Sequence, residues 1–128
     1  MGLDIYLEAD KRLSLVQLAE AVTAVGADEL DRQEASLEAG FASGLFLHAR
    51  HERDDPAIRA EEASGLMFSV VTRGYLRIGR HSPEGADPLG DIKNLVEQLA
   101  ARSDAHFVVS FQYESLMYYR DHEGLHTV

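Results

Sequence analysis

Residues 48–62, HARHERDDPAIRAEE, place two histidines, five carboxylates and three arginines in fifteen positions. Imidazole and carboxylate hold zinc and iron and perform most acid–base catalysis, so the segment must be weighed as a metal or catalytic centre. His48 and His51 are three apart. A continuing strand would put them on opposite faces, and only a helical turn would bring them together. A metal site also needs ligands converging from a rigid frame, oriented by further partners. Here the frame is a strand end running into a loop. The expectation is a solvated seam, with Glu52, Asp54, Asp55, Glu61 and Glu62 as a hydrated acidic rim and Arg50, Arg53 and Arg59 pairing locally.

Other reactive constellations are weaker. The tail RDHEGLHTV carries Asp121, His122, Glu123 and His126, but not at the H-E-x-x-H spacing of metalloproteases. Gly124 argues against a helix there, and a fraying terminus holds metal poorly. The chain has no Cys and no G-x-S-x-G nucleophile elbow. Ser110 lies mid-strand beside no evident base, and Ser43-Gly44 and Ser64-Gly65 are ordinary turn pairs. GYLRIG at 74–79 does not match a dinucleotide or phosphate loop. No catalytic residue, metal or cofactor is expected.

Two features suit binding. Arg73, Tyr75 and Arg77 alternate along one strand face, where two guanidinium forks flanking a ring could grip an anion or anchor a protein. The competing reading pairs these arginines across the sheet with Glu34, Glu38 or Glu114. The second feature is FQYESLMYYRD, with Tyr113, Met117, Tyr118 and Tyr119. Alternation cannot bury both Tyr118 and Tyr119 against one core, so one ring belongs on the other side of the sheet, near Tyr75 and Tyr6. Tyr, Met and Arg are the residue types enriched in interface centres.

The elements that position these groups follow from periodicity. LDIYLE (3–8) alternates as a half-buried strand, with Leu3, Ile5 and Leu7 inward. Ser14 with Gln17 forms a capping box for a helix over 14–25, ended by Gly26. RQEASLEAG (32–40) reads as one edge strand and LFLHAR (45–50) as its hairpin partner. GLMFSVVTRGYLRIGR (65–80) reads as the longest strand, with Gly74 marking a bulge or kink. HSPEGADP is a loop. Asp87 and Pro88 start a second helix running to Arg102, with Leu89, Ile92, Leu95, Val96 and Leu99 on its buried stripe. HFVVSFQYE (106–114) is a strand with Phe107, Val109, Phe111 and Tyr113 inward, followed by a final strand, SLMYYRD. The order implies a single α+β domain over 1–128. Its mostly antiparallel sheet of five to six strands carries two helices on one face, as in a ferredoxin-like split βαβ with added strands.

At 128 residues and 45% hydrophobic content the chain can build one core. Its net charge of −10 is uneven: residues 1–64 hold 14 acids and 6 bases, residues 65–128 hold 8 acids and 6 bases. That field repels phosphate backbones and argues against nucleic-acid binding, while it would steer a basic partner inward. No apolar run approaches the roughly 20 residues of a membrane span, and no leader pattern opens the chain, so a cytoplasmic location is expected.

The ending HFVVSFQYESLMYYRDHEGL, on a short acidic two-helix chain without a catalytic motif, resembles the immunity proteins that accompany bacterial secreted toxins. The opening MGLDIYL also resembles that of small phage-type proteins. The immunity resemblance implies inhibition by occlusion of a toxin's active site, and no family residue carries over position by position. The leading expectation is therefore a non-enzymatic, acidic protein-binding module for a basic toxin domain. Its partner-binding residues would be Asp28, Glu29, Asp31, Glu34, Glu38, Asp54, Asp55, Arg73, Tyr75, Arg77, Tyr118 and Tyr119. The alternative is a dimeric ferredoxin-like regulatory domain that holds an anionic metabolite through Arg73, Tyr75 and Arg77.

Overall fold

The computed structural model describes residues 3–63, 65–79 and 83–128. Expectations for Met1 and Gly2, for Ser64 and for Arg80, His81 and Ser82 lie outside the described residues, as does the side chain of Leu3. The elements are β1 (Leu3–Ala9), α1 (Leu15–Val25), β2 (Glu29–Arg32), β3 (Ser36–Gly40), β4 (Leu45–His51), β5 (Thr72–Ile78), α2 (Pro88–Arg102), β6 (Phe107–Phe111), β7 (Ser115–Asp121) and β8 (Gly124–Thr127). The fold is α+β.

All eight strands join one antiparallel sheet in the order β2-β3-β4-β5-β1-β6-β7-β8. Eight strands replace the five to six expected. Two were hidden for local reasons. The expected strand over 32–40 is the far arm of a hairpin whose near arm, β2, is the short charged run ELDR with every residue exposed. Gln33 N–H donates to the Ser36 carbonyl and closes that turn. At the other end the tail does not fray: β8 returns along β7, with Gly124 at φ 120° in the left-handed region that the turn requires.

Both helices pack on one face. Their buried residues, Leu18, Ala19, Ala21 and Val22 from α1 and Ile92, Leu95, Val96 and Leu99 from α2, share a core with Ile5, Leu7, Leu37, Leu47, Leu76 and Phe107 from the sheet. The expected caps form. Ser14 accepts from Gln17 N–H while the Gln17 side chain accepts from Ser14 N–H, and Asp87 accepts from Gly90 N–H. Leu89 is half exposed, so the α2 stripe begins at Ile92. Gly74 marks no bulge: its ladder is regular, and a Cβ there would lie 3.2 Å from Leu7 Cβ and 3.4 Å from Leu47 Cδ1. The glycine permits close approach of the helix-side layer. The ladder irregularity falls at Val109–Ser110 instead.

Strand β5 begins at Thr72, not at 65. Residues 52–63 and 65–71 belong to a strap that folds back over the helix-free face. Leu66, Ile58 and Tyr119 there pack with the buried Ala60, Val108 and Leu116, while Met67 points to solvent. The strap is fastened by charge. Arg73, with only 5% of its side chain exposed, donates through Nη1 to Glu8 (2.6 Å) and through Nε to Glu52 (2.5 Å). Its Nη2 donates to the carbonyls of Asp55 and Ala57. Glu8, fully buried, also accepts from the backbone N–H groups of Arg59 and Ala60. A buried carboxylate left without its cation is far costlier than the intact pair is stabilising. Arg73→Ala should therefore lower unfolding free energy by about 3–5 kcal/mol, and amide exchange over 55–60 should accelerate before the rest of the sheet. Urea melts with exchange mass spectrometry would check this; a loss below about 1 kcal/mol would show that the ion cluster does not hold the strap.

Candidate protein-binding surface

On the helix-free face the ladder register sets side chains in rows. Asp31 faces Glu38, Glu38 faces His48, His48 faces Tyr75, and Tyr75 faces Tyr6. Strands lie about 4.8 Å apart, so this row runs about 19 Å from the sheet edge to its middle. It begins with exposed carboxylates and ends in half-buried phenols.

The phenols form a stack. The rings of Tyr6 and Tyr75 have centroids 5.3 Å apart, and Tyr113 lies on Tyr6 at 3.8 Å. Alternation placed Tyr113 inward, but β6 ends at Phe111 and the turn after it reverses the side chain. Gln112 (φ 54°) and Tyr113 (φ 62°) both adopt the left-handed conformation, at a cost of roughly 1–2 kcal/mol per residue. The turn is held by Gln112 N–H donating to the Asp4 carbonyl, Glu114 N–H donating to that of Phe111, and the ring stack itself. No Gly or Asn marks this turn, so composition gave no signal for it.

Tyr75 Oη donates to Asp4 Oδ1 at 2.6 Å. That hydrogen bond, with burial, pushes the Tyr75 phenol above its ordinary pKa. Burial, then Tyr113 and Asp4, does the same for Tyr6. Both hydroxyls therefore keep their protons at neutral pH. Between these rings, His48 and Arg50 lies a shallow groove of about 200 Å³.

The expected partner-binding residues separate into three groups. Asp28, Glu29, Asp31, Glu34 and Glu38 are all exposed on β2, β3 and their connections. Among the described residues none of the five makes an ion pair. Asp54 is exposed on the strap and Asp55 is half buried there, pairing with Arg59 at 3.3 Å. The Ala57 N–H and then Arg59 hold the Asp55 carboxyl below its ordinary range despite some desolvation. Tyr75 and the exposed Arg77 remain on the open face.

Arg73 departs from expectation. It shares the strand face with Tyr75 and Arg77, yet it is buried and committed to Glu8 and Glu52, so two free cations do not flank Tyr75. Its ion partners are neither Glu34, Glu38 nor Glu114. Glu8 could have been suspected from its place on the polar side of β1, but its burial depends on a strap that has no sequence periodicity. Tyr118 and Tyr119 take opposite faces as expected, but neither joins Tyr6 and Tyr75. Tyr118 packs toward the helices, and Tyr119 lies on the strap side, stacked on His126 at 4.6 Å and apart from the Tyr6 stack.

The seam expectation for residues 48–62 needs two corrections. The exposed Arg53 makes no ion pair among the described residues. Glu52 is buried, not part of a hydrated rim, and Arg50 and Arg73 clamp it. His48 projects to the polar face, while His51 at the end of β4 falls on the other. Among the described residues no group of three His, Asp or Glu side chains is placed to hold a metal ion. In the tail, His126 Nε2 lies 2.9 Å from Asp121 Oδ1. Burial raises the Asp121 pKa, but the His126 and Glu123 hydrogen bonds outweigh it and leave the group lowered. Ser110 is fully buried, and its Oγ has no hydrogen-bond partner among the described residues. No family model, curated protein or solved structure matches this chain. Among the described residues no helix is long and apolar enough to cross a membrane.

The Glu52 clamp has a pH signature. Hydrogen bonds from Arg50, then Arg73, hold its carboxyl far below the ordinary value of 4.5, against the opposing effect of burial. A depressed folded-state pKa means that the unfolded chain takes up the proton first. Its stabilisation is thus fully present above about 4.5 and is lost as pH falls below that value. Glu52→Gln should flatten the acid limb of a stability–pH curve relative to the parent, with both proteins insensitive to this group between pH 6 and 8. Parallel acid limbs in chemical denaturation would remove this assignment.

Proposed function

We propose that this chain is a non-enzymatic protein-binding module that neutralises a basic bacterial toxin by covering its active site. The observation that carries the reading is the row Asp31–Glu38–His48–Tyr75–Tyr6. It joins unpaired carboxylates to a rigid aromatic stack on one exposed strip. Carboxylates steer a cationic partner and fix its register. Tyrosines supply contact area with little rotamer entropy to lose, and their hydroxyls can meet polar groups at the partner's cleft. The placement of Asp31 opposite Glu38 supports this. Like charges directly opposed across strands are destabilising, typically by a few tenths of a kcal/mol, and a basic partner would relieve the repulsion.

The core also supports a ferredoxin-like reading. In the segment β4-β5-β1-β6, β1 lies between β5 and β6, which α2 connects. Strand β5 lies between β1 and β4, and α1 follows β1. The β2–β3 and β7–β8 hairpins extend that unit on either side. The anion-binding alternative loses its main support, because the Arg73 guanidinium is committed internally.

Titrating the purified protein with the product of the neighbouring gene, by calorimetry and stopped flow, tests the proposal. A complex at or below micromolar Kd, with an association rate that falls as salt rises, is expected. Asp31→Lys with Glu38→Lys should slow association by about 10–100-fold at low ionic strength while dissociation changes less. Failure of every adjacent gene product to bind at micromolar concentration would overturn the reading.

A further inference from the structure

The sheet ends at β2, whose outer side is unpaired. The Gln33–Ser36 hydrogen bond sets the alternation of the β2–β3 ladder. Asp31 is then bonded inward to Glu38, while Leu30 and Arg32 direct their N–H and C=O groups to the open edge. Below that edge the core layer continues without cover. Leu30 extends the helix-side row Ala39–Leu47–Leu76–Ile5 but is 46% exposed. Val16 of α1 is 44% exposed, and the two line a groove of about 410 Å³ between α1 and β2, together with Ala19 and the charged Glu20, Arg32 and Arg102. Above the edge, on the opposite face of the sheet, stand Asp31 of β2 and its cross-strand neighbour Glu38 of β3.

We propose that β2 is an addition site for an extended strand of the partner, one that alternates apolar with basic residues. This rests on the protein-binding reading above and names the partner's chemistry. The incoming strand would complete the ladder at Leu30 and Arg32. Its apolar side chains would enter the α1–β2 groove on Leu30 and Val16, and its Lys or Arg side chains would meet Asp31 and Glu38. Period 2 in the strand matches the two faces of this edge, one carrying Leu30 beside Arg32 and the other carrying Asp31. A second copy of this chain pairing β2 to β2 would set those carboxylates against each other, so charge selects a basic strand.

The probe is a capped hexapeptide of alternating valine and lysine, followed by amide NMR. Saturable shifts at Leu30, Arg32 and Val16 are expected, with exchange of the Leu30 and Arg32 amides slowed at least about tenfold. A valine–glutamate hexapeptide should produce neither. Leu30→Pro removes an edge N–H that the inner ladder does not use and should abolish the peptide effect. Leu30→Lys, which blocks the groove by charge, should do the same if the proline variant misfolds. No saturable shift at millimolar peptide, shifts confined to the Tyr6–Tyr75 face, or equal binding of the two peptides would each overturn the inference. The neighbouring gene product is measured separately against the parent and Leu30→Pro. Equal binding to both sinks the edge site and leaves the protein-binding reading standing. Binding to neither sinks that reading, and the peptide result alone then decides the edge.

Discussion

The Arg73 guanidinium sits between Glu8 and Glu52 in the interior of the helix-free face, and the layout of that face depends on it. Strands β4 and β5 are ladder neighbours, but their connection is a long strap rather than a tight turn. Closing such a loop adds little entropy beyond that of a short one, because the penalty grows only logarithmically with length. Ordering its backbone is the larger cost, at about 1–2 kcal/mol per residue. Only a modest apolar cluster around Val108, Leu116 and Ala60 is available to offset it. Besides backbone hydrogen bonds such as Val71 N–H to the Ala9 carbonyl and Glu61 N–H to that of Tyr113, the hold includes buried groups that must be matched: Arg73 to two carboxylates and two strap carbonyls, and Glu8 to two strap N–H groups. A guanidinium suits this position because its planar fork can satisfy several acceptors at fixed angles, which an ammonium cannot.

By fixing the strap over β1, β6 and β7, this cluster divides the polar face. One half is covered and apolar beneath. The other keeps Tyr6, Tyr75, His48 and the carboxylates of β2 and β3 open to solvent. The same few contacts therefore determine which side chains remain available to a partner. Tyr113 lies at the boundary: its carbonyl accepts from Glu61 N–H on the strap, and its ring completes the stack.

Both helices were legible in the sequence to within a residue, because their caps and stripes are local signals that the tertiary structure had no reason to override. Strands β1 and β4 were equally plain from alternation. The misreadings share a cause. Residues 66–71 carry apolar side chains at strand spacing, yet Leu66 and Val70 are used in the strap, and the burial of the two carboxylates that fasten it follows from no periodicity. Strand β2 lacked apolar alternation because an edge has no second neighbour and its residues face water or a groove. Of the candidate surface, the exposure of the acids on β2 and β3 and the polar-face position of Tyr75 followed from composition and alternation. The internal role of Arg73 did not, since its partners are 65 and 21 residues away in sequence, and neither distance follows from any local pattern.

The unpaired acids of β2 and β3 also bear on how this edge would meet a copy of itself. An open strand with Leu30 and Val16 exposed beneath it is the kind of surface that pairs with copies of itself. Charge on the strand counters that tendency, because two such edges brought within hydrogen-bonding distance would oppose several carboxylates with no cation between them. The repulsion across Asp31 and Glu38 within one molecule is small, since both groups are well hydrated and screened by salt. Between two molecules the same groups would have to give up water, and the penalty grows as the local dielectric falls. An arrangement that is nearly neutral for folding can thus exclude self-pairing while leaving the edge receptive to a strand of opposite charge. At the proposed edge site, selectivity would come from what is repelled as much as from what is attracted.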